Sequence, residues 1–543
     1  MRALSPDPEP GWESQAAICR SILDKSIVAE FRVPLNQLPS GPRLNVLHVP
    51  SESGLLSARE LDITACDGTR LAEAIASGCW SAEEVTVAYL KRATIGHQMV
   101  NFATEFLADR ALATARELDV YFKKTGKTVG PLHGVPISVK EHIGIKNRIC
   151  HTGYVAWIKN VASADALVVH LLQKAGAVIL LRSNEPQSLM HGDTNNNITG
   201  MTLNPCNTSL SAGGSSGGEG ACIRLRGSAI GIGTDIGGSI RIPSSFNGVY
   251  GFRPTALRMP YQGIHTVAGG QEALRSVAGP LANSMDDLEL VMRSVLDQSP
   301  WEIETSLVPL PWRSVPVQAT REMTVGIMHS NGLVTAHPPI RRAMKYAQAK
   351  LEEAGIRTVP WEPYRHEEAS RLLGTLFFAD GAQSHRKVLA ESAEPVHRLT
   401  EFVMTGARTL SFEEYWQCNV DREQLRSQYH QLMKQRGVDC ILCPATNGVA
   451  TRQGNNEYWF YTGLWNLLDQ PALVFPTGLE VDPALDPADV DYVPLNENDR
   501  REHAKYCPEI FAGMPICLQV VGKHFRDEET VAAARVVESV LRA

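Results

Sequence analysis

The sequence has no run of about 18 consecutive apolar residues, which is the length that a membrane-spanning helix needs. It also lacks blocks of like charge, and a formal net charge of −7 disfavours binding to nucleic acid or to an anionic membrane surface. The N-terminal segment is polar and contains several prolines, so we expect no signal peptide. The 11 cysteines are odd in number and follow no regular spacing, which is typical of reduced thiols. These absences predict a cytoplasmic protein that has neither a nucleic-acid partner nor a membrane span.

The composition is typical of a large globular protein: of the 543 residues, 43% are hydrophobic and 20% are charged. Residues 1–55 are interrupted by prolines and are interpreted as a peripheral N-terminal arm, and residues 56–543 as one large domain. Within that domain, strand-like runs such as residues 134–139 and 177–181 alternate with segments of helical periodicity. We therefore predict an α/β fold, in which helices pack in layers on a sheet.

The most informative stretch, residues 213–255, contains two glycine-rich turns that end in serine, Gly-Gly-Ser-Ser (213–216) and Asp-Ile-Gly-Gly-Ser (235–239). Glycine permits positive φ angles and leaves backbone amides accessible to a ligand. A serine at such a turn can attack a carbonyl carbon while neighbouring amides stabilise the oxyanion that forms. The stretch indicates an acyl-transfer hydrolase, in which a separate group must activate the serine.

A candidate base lies upstream in a strand-like segment, where Val135, Ile137 and Val139 alternate with Ser138 and Lys140. A lysine on an interior strand face is seldom buried without a functional reason. Burial disfavours the ammonium form, so we expect the pKa of Lys140 to be low enough for the neutral amine to act as a base.

Several segments, in the same order along the chain, resemble the amidase signature family. They are residues 131–141 (PLHGVPISVKE), 204–221 (NPCNTSLSAGGSSGGEGA), 233–255 (GTDIGGSIRIPSSFNGVYGFRPT) and 513–522 (GMPICLQVVG). The resemblance is greatest to the fungal acetamidase-type branch, with fatty acid amide hydrolase a more distant relative. It implies a single large domain with a mixed β-sheet that is covered by helices on both faces.

That family uses a Ser–cis-Ser–Lys triad, so the resemblance implies a role for each matching position of this chain. Ser239 is the implied nucleophile, Ser215 the bridging serine whose peptide bond is cis, and Lys140 the base. No metal and no other cofactor is implied. The amides implied as an oxyanion hole are those of Ile236, Gly237, Gly238 and Ser239, and the implied supporting residues are Asp235, Arg241 and Ser216.

The implied reaction is hydrolysis of a carboxylic acid amide, a small aliphatic or aromatic primary amide, to the acid and ammonia through an acyl-enzyme on Ser239. The expected partners are the small-molecule substrate and, as an open alternative, a second copy of the chain in a homodimer. Two segments are candidate walls of the substrate site. The residues singled out in them are Leu189, Met190, Trp459, Tyr461 and Trp465. For the aromatic residues, filling the core beneath a loop is an equal alternative.

Other interpretations stay open at this point. Residues 213–217 (GGSSG) also fit the nucleophile turn of α/β-hydrolases, which would make Ser215 the nucleophile and require a histidine. Cys440 and Cys443 form a Cys-x-x-Cys pair, which we interpret as core because no second pair accompanies it. For the function, the alternatives are an amidotransferase-type subunit that needs a partner chain and a catalytically idle binding protein on the same scaffold.

Overall fold

A computed structural model of the protein describes residues 11–34, 38, 44–316 and 322–543. The strands within these residues are β1 (Ala103–Phe106), β2 (Pro136–Lys140), β3 (Val178–Ser183), β4 (Asn195–Asn196), β5 (Gly200–Met201), β6 (Ile230–Asp235), β7 (Tyr250–Arg253), β8 (Val277–Ala282), β9 (Thr324–Ile327), β10 (Arg357–Pro360), β11 (Cys440–Pro444), β12 (Ala472–Glu480) and β13 (Pro515–Val521). In this part of the chain, 11 strands form one mixed sheet in the order β1-β3-β2-β6-β8-β7-β12-β13-β11-β9-β10, and β4 pairs with β5.

Helices flank this sheet, which confirms the prediction of a single α/β domain built on a mixed sheet. In the described residues the α-helices are α1 (Trp12–Ser26), α2 (Val49–Glu52), α3 (Ala58–Ala65), α4 (Gly68–Ala76), α5 (Ala82–Val100), α6 (Ala108–Thr125), α7 (Leu167–Lys174), α8 (Gly217–Arg224), α9 (Arg241–Asn247), α10 (Met285–Leu296), α11 (Pro338–Glu353), α12 (His366–Phe377), α13 (Gln383–Ser392), α14 (Arg398–Met404), α15 (Phe412–Gln435), α16 (Phe460–Leu467), α17 (Glu497–His503), α18 (Pro508–Phe511) and α19 (Asp527–Arg542). Short 3₁₀ turns lie at Ala29–Phe31, Val155–Trp157 and Pro300–Glu302.

The predicted N-terminal arm is only partly described. Helix α1 lies within it and packs against β1, whereas residues 1–10, 35–37 and 39–43 of the arm lie outside the described residues. A separate arm that ends at residue 55 therefore stays a prediction. Among the described helices, none combines the length and the apolar character that crossing a membrane requires.

The apolar runs of the sequence form the interior of the sheet. Residues 134–139 and 177–181 supply β2 and β3, which pair in parallel and are buried along their whole length. Cys440 and Cys443 lie buried in β11, so they belong to the core as expected. All 11 cysteines are free thiols.

Two parallel neighbours, β2 and β6, determine where the site lies. They pair through Ile137 with Ile230 and Val139 with Ile232, and they end at Lys140 and Asp235. Since the carboxyl ends of parallel strands meet at the same edge of a sheet, Lys140 lies beside the second glycine-rich turn. The first turn leads directly into α8, which packs against both strands. The fold thus brings three separate segments of the sequence to one place.

Candidate active site

Lys140 is fully buried at the end of β2. Its Nζ lies 2.6 Å from Ser215 Oγ and 3.3 Å from Thr234 Oγ1. Burial lowers the pKa of Lys140 to about 8, against the opposing fields of Glu185, Asp235 and Glu219. The neutral amine is therefore well populated at mildly alkaline pH, where it can accept a proton.

Two of the three carboxyl groups near Lys140 have a raised pKa. Glu219, in α8, accepts a hydrogen bond from Ser138, and burial raises the pKa of Glu219 to about 7. Burial, together with the neighbouring Glu141 carboxylate, raises the pKa of Glu185 well above its ordinary value. Glu185 and Glu219 therefore carry less than a full negative charge at neutral pH, so they retain the proton of the lysine amine less strongly than ionised carboxylates would.

The two glycine-rich turns place Ser215 and Ser239 at the same cavity. The Gly214–Ser215 peptide bond is cis, as the resemblance implies. The Ser216 amide donates to the Ser239 carbonyl oxygen over 3.1 Å and so joins the turns. Ser215 is buried, whereas Ser239 is partly exposed. Among the described contacts, Ser215 Oγ is hydrogen-bonded to Lys140, and no hydrogen bond joins it to Ser239 Oγ.

Asp235 stabilises the backbone of the turn that carries Ser239. Its carboxylate accepts hydrogen bonds from the Gly238 amide over 2.8 Å and the Ile240 amide over 3.1 Å. Arg241 donates two further hydrogen bonds to it, each of 3.0 Å. Burial by itself would raise the pKa of Asp235, but the Arg241 guanidinium lowers it to about 2. The carboxylate therefore stays ionised and braces the turn.

The backbone amides near Ser239 differ in whether they already donate a hydrogen bond within the protein. The Gly238 amide is engaged by Asp235, so in this structure it is not free to bind an oxyanion, contrary to the prediction. Gly238 instead supplies a φ of +131°, a conformation that favours glycine. The amides of Ile236, Gly237 and Ser239 form no hydrogen bond with another described residue. Three amides therefore remain to bind a negatively charged oxygen.

An Asp235→Asn variant is expected to be less stable than the wild type, because the buried Arg241 charge then lacks its carboxylate. Removing one partner of a buried ion pair costs about 3–5 kcal/mol. Thermal unfolding followed by circular dichroism measures the effect. The control is Asp24→Asn, which breaks the solvent-exposed Arg32–Asp24 pair and should shift the melting temperature little. Equal melting temperatures for the two variants would contradict the bracing role.

Two cavities meet at Ser239. The main cavity has a volume of about 300 Å³ and is lined by both serines, by His142 and by much of the segment 257–277. The small cavity has a volume of about 20 Å³, and Phe377 and Trp459 are among the residues that line it. Ser215 lines the main cavity and is not among the residues that line the small one.

The structure separates the predicted wall residues into two groups. Leu189 and Met190 line both cavities, and Trp459 lines the small one. Tyr461 and Trp465 line neither cavity, because α16 is buried on all sides and both rings lie in the core. For these two residues the structure therefore favours the alternative, in which the rings fill the core.

Sequence reasoning missed two parts of the walls. The segment 257–277 carries no motif, although its Gly269-Gly270 pair marks a loop. Phe377 lies far from the serines in the sequence and gives no local signal. Its ring is so close to Gly237 that a Cβ there would meet Phe377 Cζ at 2.8 Å. That contact depends on the tertiary fold alone.

One group of described residues, Glu141, His151 and Glu185, has ligand atoms within 4.8 Å of one another, close enough for a metal ion. Glu141, however, already accepts hydrogen bonds from Arg182 and from the amides of His151 and Thr152. The Arg182 guanidinium supplies the positive charge that a cation would bring. We therefore interpret the group as a salt-bridged cluster and not as a metal centre.

The alternative in which Ser215 is a nucleophile activated by histidine finds no support in the contacts. The partner of the Ser215 hydroxyl is Lys140. In the described part of the chain, no histidine forms a hydrogen bond to Ser215 or Ser239. His142 is linked to the lysine only indirectly, because it contacts Thr234, the second hydrogen-bond partner of Lys140.

Comparison with known proteins identifies the family of the chain. An acetamidase of Aspergillus oryzae is 37% identical over 98% of this chain and 99% of its own length, and an acetamidase of Emericella nidulans is 36% identical over 98% of each. A solved structure of a fatty acid amide hydrolase is 39% identical, with a TM-score of 0.95 over 98% of this chain and 95% of its own. Its identity is as high as that of the acetamidases, so the greater distance expected for it is not seen. The family model described as amidase matches residues 84–531, and the chain therefore belongs to the amidase family.

Proposed function

We propose that this amidase hydrolyses amides of short-chain carboxylic acids through an acyl-enzyme on Ser239, with Lys140 as the base and Ser215 as the proton relay. The observation that carries the proposal is the 2.6 Å contact between the buried Lys140 amine and the Ser215 hydroxyl. A lysine whose pKa is lowered by burial can act as a general base near neutral pH. No metal and no other cofactor takes part in the proposed reaction.

In the proposed mechanism, neutral Lys140 takes the proton of Ser215 while Ser215 takes that of Ser239, whose oxygen attacks the amide carbon. The Ser215–Ser239 hydrogen bond of this relay forms when substrate binds, since catalytic hydrogen bonds are often long in the free enzyme. The negative charge on the carbonyl oxygen is stabilised by the amides of Ile236, Gly237 and Ser239. The proton then returns through Ser215 to the nitrogen, which leaves as a neutral amine or ammonia. Water hydrolyses the acyl-enzyme by the same route.

The relay determines which part of the substrate enters which cavity. The leaving nitrogen must lie next to Ser215, because Ser215 delivers its proton, and Ser215 lines the main cavity. The carbonyl oxygen faces the backbone amides. The acyl substituent is therefore directed to the remaining space at Ser239, the small cavity beneath Phe377 and Trp459.

The small cavity limits the acyl group. Its volume of about 20 Å³ accommodates roughly one water-sized group, which matches an acetyl methyl group better than an aromatic ring. Of the two acid classes predicted from the sequence, the small aliphatic one is therefore favoured. Relatives named acetamidase support this choice, whereas the likeness to a fatty acid amide hydrolase favours a long acyl chain as the competing candidate. The main cavity leaves room for substituents on the nitrogen.

A panel of primary amides tests the proposed acyl preference, because ammonia release reports every member in the same way. We expect acetamide and propionamide to be hydrolysed with a kcat/KM at least tenfold above that of benzamide, hexanamide or oleamide, since each misfitting methylene is worth about 10–200-fold. In Phe377→Ala and Trp459→Ala variants the small cavity is larger. In these variants the ratio of kcat/KM for hexanamide to kcat/KM for acetamide should rise by at least about tenfold.

Phe378→Ala is the matched control, because it truncates a neighbouring phenylalanine that does not line the small cavity. The ratio of kcat/KM for hexanamide to that for acetamide should be the same in this variant as in the wild type. Faster hydrolysis of benzamide or oleamide than of acetamide by the wild type would contradict the short-chain assignment and leave amide hydrolysis itself intact.

The same assay separates the other candidate functions. An amidotransferase-type subunit needs a partner chain, so full turnover by the purified protein alone would exclude it. A catalytically idle scaffold would neither release ammonia from any member of the panel nor react with a fluorophosphonate.

A further inference from the structure

We propose that His142 is a positioning residue, which keeps the lone pair of Lys140 directed at Ser215 by fixing the direction of the Thr234 hydroxyl. This inference rests on the proposed function, since it concerns the base of that mechanism. The residues involved form a chain of hydrogen bonds from the backbone of His265 through His142 and Thr234 to Lys140.

The first contact determines the tautomer of His142. Its Nδ1 lies 2.7 Å from the backbone carbonyl oxygen of His265, which can only accept a hydrogen bond. Nδ1 therefore carries the hydrogen. Burial, and after it the nearby Lys140, lower the pKa of His142 to about 3, so the ring is neutral and Nε2 is a bare acceptor.

The second contact determines the direction of the Thr234 hydroxyl. His142 Nε2 lies 2.9 Å from Thr234 Oγ1, and an acceptor nitrogen requires that the hydroxyl donates to it. A threonine hydroxyl has a single hydrogen, so Thr234 Oγ1 can only accept from Lys140 Nζ, which lies 3.3 Å away.

The consequence concerns the lysine amine. A neutral amine has two hydrogens and one lone pair, and its two described polar contacts are Thr234 and Ser215. Because one hydrogen is donated to Thr234, the lone pair is free to face the Ser215 hydroxyl at 2.6 Å. Without His142, the Thr234 hydroxyl could turn and donate to the lone pair, which would occupy the base that Ser215 needs.

The surroundings of Lys140 allow this effect to be separated from other electrostatic changes. The charged or titratable groups that face it are Glu185, which follows β3, Glu219 of α8, Asp235 at the end of β6, and His142 itself. The backbone of His142 is held independently, since its carbonyl oxygen accepts from the His265 amide over 2.9 Å. A side-chain substitution at 142 therefore leaves the main-chain path in place.

Two substitutions at 142 each remove one of the two ring contacts. His142→Asn keeps a donor near the His265 carbonyl but is too short to accept from Thr234. His142→Gln reaches Thr234 with its carbonyl oxygen and gives up the donor near His265. We expect His142→Asn to lower kcat and kcat/KM of acetamide hydrolysis alike, by about tenfold to a hundredfold, with KM unchanged, and His142→Gln to recover most of the loss.

The pH profile of kcat/KM distinguishes this role from a structural one. In His142→Asn, a Thr234 hydroxyl that donates to Lys140 stabilises the neutral amine, so the acid limb should move to lower pH while the plateau falls. Simple loosening of the site would admit water and move the acid limb to higher pH, towards the ordinary pKa of lysine. In a Thr234→Val background, which has no hydroxyl to turn, His142→Asn should have little further effect.

The inference is overturned if His142→Asn retains wild-type kinetics, if His142→Gln is impaired equally, or if the acid limb moves upward. Its failure can be told from that of the proposed function by two further variants measured in the same assay. If Ser239→Ala or Lys140→Met keeps wild-type turnover, the proposed function fails and this inference fails with it. If both lose turnover while His142→Asn does not, only the role of His142 fails.

Discussion

A Ser239→Ala variant is expected to lose amide hydrolysis almost completely and to lose covalent labelling by a fluorophosphonate. In the proposed mechanism Ser239 forms the acyl-enzyme, and its hydroxyl lies on the turn whose unengaged amides bind the oxyanion. Ser215, the serine of the first turn that lines the main cavity, is buried and hydrogen-bonded to Lys140. Loss of the nucleophile lowers kcat of a serine hydrolase by about 10⁶. Ammonia release from acetamide and mass spectrometry of the labelled protein measure the two effects.

The control for this variant is Ser77→Ala, which removes an exposed serine at the end of α4 and should leave turnover and labelling unchanged. Peptide mapping of the labelled wild type adds a second criterion. A label on Ser215 that persists in Ser239→Ala would reverse the two serines and restore the α/β-hydrolase interpretation of residues 213–217. An unlabelled but folded wild type would instead favour the idle scaffold.

The central residues of the site could be predicted because their signals are local. The alternation around Lys140 marks a strand, and the glycines before Ser215 and Ser239 mark turns with accessible amides. Each signal is contained in a few consecutive residues. The fold class followed in the same way, since strand-like and helical segments alternate along the chain. Pairing of β2 with β6 then brings the signals together.

The parts that could not be predicted depend on contacts between distant segments or on side-chain surroundings. The segment 457–465 contains five aromatic residues, and no pattern in the sequence separates Trp459, which lies at a cavity, from Trp465, which is enclosed by the core. The engagement of the Gly238 amide by Asp235 follows from the conformation of the turn. The contact of Phe377 with Gly237 joins segments that only the fold brings together. Burial of α16 on every side removes the periodicity that would separate wall from core.

The second large effect is expected for Lys140→Met, which keeps the length of the side chain and removes the amine. We expect kcat/KM to fall by several orders of magnitude, because positioned proton transfer alone contributes about 10²–10⁴-fold and an unactivated serine is a weak nucleophile. In the wild type only the neutral amine is active, so kcat/KM should rise with pH through an apparent pKa near 8. The Lys140→Met variant should lack this rise of kcat/KM with pH, which is the acid limb of the profile. Lys174→Met, at an exposed lysine of α7, is the control.

The same variant should be more stable than the wild type at neutral pH, and this follows from the sign of the pKa shift. Burial lowers the pKa of Lys140 from 10.5 to about 8, so the unfolded state binds its proton more tightly than the folded state. The resulting destabilisation, about 3 kcal/mol, is fully present below pH 8 and disappears as the pH rises past 10.5. Lys140→Met should therefore melt at a higher temperature at pH 7, and its advantage should shrink between pH 8 and 10.5. A melting temperature at or below that of the wild type at pH 7, with the acid limb of kcat/KM still present, would show that Lys140 is not the buried base.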